Sequence, residues 1–118
     1  MIMNTLRPII LEVGEEITIG PHVVFRRPPS VSVNEEFCVG HGRTKQEIVE
    51  HANFSVVNPP PNLRITEGKR EITDGIKCEL TICAEYPGDS EFQLMIKIGE
   101  EVVLRRKYMF NVPPVPLS

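Results

Sequence analysis

Between Glu91 and Val112 the chain alternates apolar and polar residues almost without a break. Phe92, Leu94, Ile96 and Ile98 are separated by Gln93, Met95 and Lys97. Val102, Leu104, Tyr108, Phe110 and Val112 then share one parity against Arg105, Lys107 and Asn111. A period of two describes strands with one buried face, so the segment predicts a long β-hairpin. Parity also constrains its register. If Ile98 faces Val102, Ile96 faces Leu104 and Phe92 faces Tyr108, the paired numbers must sum to an even value. A bare two-residue turn at Gly99-Glu100 would put the two apolar sets on opposite faces, which a one-sided core forbids. The expectation is a three-residue tip, Gly99-Glu100-Glu101, or a two-residue turn corrected by a bulge. The same register leaves Arg106 on the core-facing parity, where it needs a rim, a bulge, or an acidic or carbonyl partner.

Shorter runs of the same kind precede the hairpin. Ile9, Leu11 and Val13 lead into Gly14-Glu15-Glu16, followed by Ile17 and Ile19. Gly20-Pro21 interrupts, and 22–25 reads as a further extended piece. Val31, Val33, Phe37 and Val39 resume the alternation and place Cys38 outward. Residues 44–57 carry two competing patterns. Thr44 with Glu47 forms a capping box ahead of Ile48, Val49 and Ala52, while Ile48, Ala52, Phe54 and Val56 share a strand parity. The strand over 48–57 is the preferred reading. Leu63 and Ile65 predict a short strand, Glu67-Gly68-Lys69 a turn and Ile72 a return. Asp74-Gly75 is a second turn signal. Ile76, Cys78, Leu80 and Ile82 then describe a half-buried strand with Cys78 inside, and Tyr86-Pro87-Gly88-Asp89 fits a type II turn.

With 118 residues this is one domain over 1–118, large enough to bury a core without staples. The 11 prolines fall between the apolar runs rather than within them, as in a loop-rich β protein. About seven or eight short strands separated by turn signals predict an all-β, antiparallel sandwich. The run from Tyr86 to Leu94, followed by a charged tip and a second alternating strand, resembles the last third of immunoglobulin-like domains, where a Pro-Gly corner leads into the final strand pair. That resemblance implies an immunoglobulin-like β-sandwich and attaches no function to it. The chain departs from antibody-type domains in lacking tryptophan, in having Ser90 where a tyrosine is usual, and in its cysteine spacing.

A net charge of −3 and the absence of tryptophan argue against nucleic-acid binding. No stretch has the apolar length of a membrane span. Three cysteines without paired spacing do not make a secreted disulfide framework, so the expected location is cytoplasmic. A few constellations have residues suited to chemistry. Gly40-His41-Gly42-Arg43-Thr44-Lys45 offers two flexible glycines with His41, Arg43 and Lys45 as anion donors, against the simpler reading of a solvated turn. Cys38, His41, His51 and Cys83 lack the two close pairs of a zinc site, so no metal or other cofactor is expected. Neither Ser30, Ser55 nor any cysteine stands in a nucleophile motif, and Glu15-Glu16, Glu35-Glu36 and Glu100-Glu101 fall at turns, so no enzyme is expected. The strongest functional feature is a stripe of Lys97, Arg105 and Lys107 flanked by Met95, Val103 and Met109, a mixed surface suited to a protein partner or to self-association.

Overall fold

The computed structural model describes residues 7–24, 36–37, 43–73 and 75–116. Among these, the elements follow as β1 (Ile9–Ile10), β2 (Glu16–Ile19), β3 (His22–Val24), β4 (Glu36–Phe37), α1 (Lys45–His51), β5 (Ala52–Val57), β6 (Leu63–Ile72), β7 (Gly75–Ala84), β8 (Gly88–Ile98) and β9 (Glu101–Val112). They form an all-β structure of two sheets. The first has the order β1-β9-β8-β5, with β1 parallel to β9 and the remaining neighbours antiparallel. In the second, β7 is central. β6 runs antiparallel along the whole of one edge, β2 and β3 lie end to end along the other, and β4 joins β3 in parallel. Val31, Val33 and Cys38 lie outside the described residues, so the strand expected there meets the structure only at β4.

Period-two patterning sends alternate side chains of both sheets into one buried cluster. Ile76, Leu80 and Ile82 come from the second sheet, and Phe92, Leu94, Ile96 and Phe110 from the first. The hairpin takes the bulged form of its expected register. Ile98 pairs with Glu101 across a two-residue turn, the ladder shifts between Ile96 and Lys97, and Ile96 then faces Leu104 and Phe92 faces Tyr108. Gly99, at φ +63°, occupies the first turn position, where a II′ geometry requires a positive φ. Arg106 lies opposite Leu94 with its guanidinium 5.4 Å from the ring centre of Tyr108, so an aromatic face accommodates a cation on the core-facing parity.

Three expectations are corrected. Residues 45–51 are helix and only 52–57 are strand. The capping box decides this: Thr44 Oγ1 accepts from the Glu47 N–H at 3.1 Å, and the Glu47 carboxylate accepts from the Thr44 N–H at 3.4 Å. The helix buries Ile48 completely. Glu67-Gly68-Lys69 is not a turn but the middle of β6, because ten successive residues pair with β7 in one register. That ladder outweighs the weak strand preference of a single glycine. The hairpin between β6 and β7 closes instead at Ile72 and Gly75. Finally, Tyr86-Pro87-Gly88-Asp89 is not a type II turn. β7 and β8 belong to different sheets, so their link crosses between layers, and Gly88, at φ +146°, already begins β8. Asn62, buried at 5% exposure, holds that crossing by donating its amide to the Tyr86 and Gly88 carbonyls at 3.2 and 3.3 Å.

Candidate interaction surface

The alternation that sends Phe92, Leu94 and Ile96 inward turns the intervening residues of β8 and β9 to the outside of the first sheet. Met95 lies opposite Arg105, Gln93 opposite Lys107 and Glu91 opposite Met109. Met95, Lys97, Arg105, Lys107 and Met109 of the expected stripe therefore share this outer face, but Val103 does not: the bulge turns it against the core and sets Val102, opposite Lys97, on the outside in its place. Met95, Lys97, Val103 and Met109 are half-buried, while Arg105 and Lys107 are exposed. Val103 is the residue skipped by the bulge. The stripe is less uniformly basic than its residues suggest, because Lys107 pairs with Glu91 at 3.1 Å.

Toward the start of β8 the same face turns acidic. Asp89 accepts a hydrogen bond from the Asn111 amide at 2.6 Å. An open hollow of about 540 Å³ there is lined by Pro8, Ile10, Asp89, Glu91, Met109 and Asn111, among others. Ile10 is 71% exposed and lines this hollow together with half-buried Met109. The face thus has apolar groups along its length, Lys97 and Arg105 short of the hairpin tip, and Asp89 and Glu91 at the opposite end. Ile10, Asp89 and Glu91 were not in the expected stripe. A signal for Ile10 existed: it falls between Ile9 and Leu11, on the parity that cannot face the core.

The loop donors behave differently. The Arg43 guanidinium donates to the Glu101 carboxylate, and Lys45 pairs with Glu71 at 2.9 Å. These pairs tie the start of α1 to the hairpin tip and to β6. His41 lies outside the described residues, as does Cys38. His51 ends the helix, and Cys83 is half-buried on the outward parity of β7. Among the described residues, no group of three or more His, Cys, Asp or Glu side chains converges as metal ligands would. No described helix is long and apolar enough to cross a membrane.

Cys78 is fully buried, and burial pushes its thiol up to about 12, with Glu67 and Glu79 adding in the same direction. A thiol held neutral in this way is no nucleophile. Because the folded state keeps this proton longer than the unfolded state, Cys78 stabilises the fold fully below the unfolded thiol value. Its contribution is lost as pH rises from about 9 toward 12, by up to about 1.4 kcal/mol per pH unit. Urea unfolding at pH 8 and pH 10.5 should show a smaller alkaline loss in Cys78→Ala than in the native chain. Equal losses would contradict the assignment.

Known proteins give no lead: no protein-family model, curated protein or solved structure matches the chain.

Proposed function

We propose that this chain is an immunoglobulin-like β-sandwich serving as a non-enzymatic protein-interaction module, which engages its partner through the outer face of the β1-β9-β8-β5 sheet. The strand arrangement supports the fold assignment. With β2 and β3 counted as one interrupted strand, the orders β5-β8-β9 and β6-β7-β2/β3 correspond to the C-F-G and D-E-B orders of immunoglobulin domains. The observation that carries the functional reading is exposed Ile10 and Val102 on one face with half-buried Met95 and Met109, with Lys97 and Arg105 toward one end and Asp89 and Glu91 toward the other. Apolar anchors inside a charged rim suit a complementary protein surface. An anion site at 40–45 has less support, since Arg43 and Lys45 already face carboxylates.

The test is a Met95→Asp, Met109→Asp double variant. Both positions face outward, so its thermal unfolding should stay within a few degrees of the native chain. A partner recovered with the native chain from cells that express it should be lost, with binding weakened at least roughly tenfold. Undiminished recovery with the double variant would contradict the proposal, as would the absence of any protein partner.

A further inference from the structure

The second sheet carries a different feature, which the interaction-module reading does not use. β6 spans ten residues, and from Thr66 to Glu71 every residue is exposed. Among the described residues its only strand partner is β7.

The backbone phase of this edge is determined. Cys78 donates its N–H to Pro21 at 3.0 Å, on the side of β7 away from β6. In an antiparallel ladder the backbone groups of successive residues point to alternate neighbours. Even-numbered residues of β7 therefore bond toward β2 and β3, and odd-numbered ones toward β6. Through the pairs Lys69–Cys78 and Gly68–Glu79, the even-numbered residues of β6 bond to β7. Ile65, Glu67, Lys69 and Glu71 turn their N–H and C=O groups outward.

We propose that two copies of this chain pair through β6, antiparallel, with Gly68 on the twofold axis. Outward-facing residues can bond only to outward-facing residues, so paired numbers must sum to an even value. An axis at Arg70 would oppose Lys69 to Glu71, whose carboxylate already pairs with Lys45, whereas an axis at Glu67 sets Glu67 against Glu67 of the second copy and one at Lys69 sets Lys69 against Lys69. Like charges directly opposite are destabilising. The register with Gly68 on the axis instead places Glu67 opposite Lys69 twice, with Ile65 opposite Glu71 on either side. Four such pairs exchange about eight backbone hydrogen bonds and extend the second sheet across both copies. Lysine on an edge ordinarily prevents strand addition. Here Glu67 lies at the mirror position of Lys69 about Gly68, so charges that repel most strands accept a second copy of this one. Lys69 also donates to the Ala52 carbonyl of β5, the edge strand of the first sheet, at 3.1 Å.

Sedimentation velocity of the full chain from roughly 10 µM to 1 mM, a span suited to weak association, should show the mass rising toward twice that of the monomer. Lys69→Glu puts like charges opposite each other twice and should weaken the dimer at least roughly tenfold. The swap Glu67→Lys with Lys69→Glu restores complementarity and should restore the dimer, which separates a lost contact from a damaged fold. Hydrogen exchange should slow with concentration at the amides of Ile65, Glu67, Lys69 and Glu71, and not at Thr66, Gly68 or Arg70. A monomer throughout the range, or a dimer indifferent to Lys69→Glu, would overturn the proposal. So would failure of the swap to restore the dimer. None of these substitutions touches the outer face of the first sheet, so partner capture there should persist in Lys69→Glu, and the two readings can fail separately.

Discussion

Replacing Gly20 by alanine should destabilise the fold by roughly 2–5 kcal/mol, a large part of the stability of a domain this size. Two causes act together. Gly20 has φ +149°, a conformation that residues with a Cβ rarely adopt. A Cβ at this position would also lie 2.1 Å from the Cys78 carbonyl oxygen, which is backbone of the central strand β7 and cannot move aside cheaply. The site is where β2 gives way to β3 without changing register against β7: Ile19 faces Leu80 before it and His22 faces Lys77 after it. Glycine brings the two backbones together, and Pro21, lacking an N–H, still accepts from Cys78 at 3.0 Å. Gly14 is the control, with φ +89° but open space for 4 Å around the point a Cβ would occupy. Gly14→Ala should cost only about 1–2 kcal/mol, the backbone penalty alone. Urea unfolding of the two variants checks the claim, and equal losses would refute it.

The second large effect is at Phe92. Its ring is 2% exposed and packs against Tyr108 at 5.5 Å and Phe110 at 5.8 Å between ring centres. Phe92→Ala removes the hub of this trio and leaves a cavity that the flanking strands cannot close, for a loss of about 3–5 kcal/mol. The neighbouring Glu91 points the other way and pairs with Lys107 across exposed surface, so Glu91→Ala should cost less than about 1 kcal/mol. A loss below about 1 kcal/mol for Phe92→Ala would mean that β8 is not the inner strand described here.

These two sites mark what the sequence reveals and what it conceals. Phe92 and its parity partners are readable because alternation is local: each residue carries its own share of the signal. The same locality makes the outer-face position of Met95, Lys97, Arg105 and Lys107 legible, and it narrows the hairpin to a three-residue tip or a bulged turn. Gly20 reads only as a break, because the carbonyl that requires a glycine there belongs to Cys78, far along the chain. β6 reads as two pieces for the same reason, since the ladder that keeps Gly68 extended comes from β7. The helix at 45–51 is legible in its capping box but competes with a strand parity. The box closes in both directions in the fold, and that settles 45–51 as helix with Ile48 buried beneath it. Asn62 looks like loop until the crossing between sheets gives its amide two carbonyls. Ile10 enters the surface only when β1 joins β9 in parallel, a pairing between distant parts of the chain.

The outer face of the first sheet is the central functional claim, and site-specific photo-cross-linking tests it most directly. A photoreactive side chain is placed singly at Met95 or Met109 on that face, and at Thr66 or Thr81 on the outer face of the second sheet. After irradiation in cells that express the protein, adducts to the same partner should form from Met95 and Met109 and not from the two threonine positions. Adducts from the threonine positions alone, or from none of the four, would contradict it.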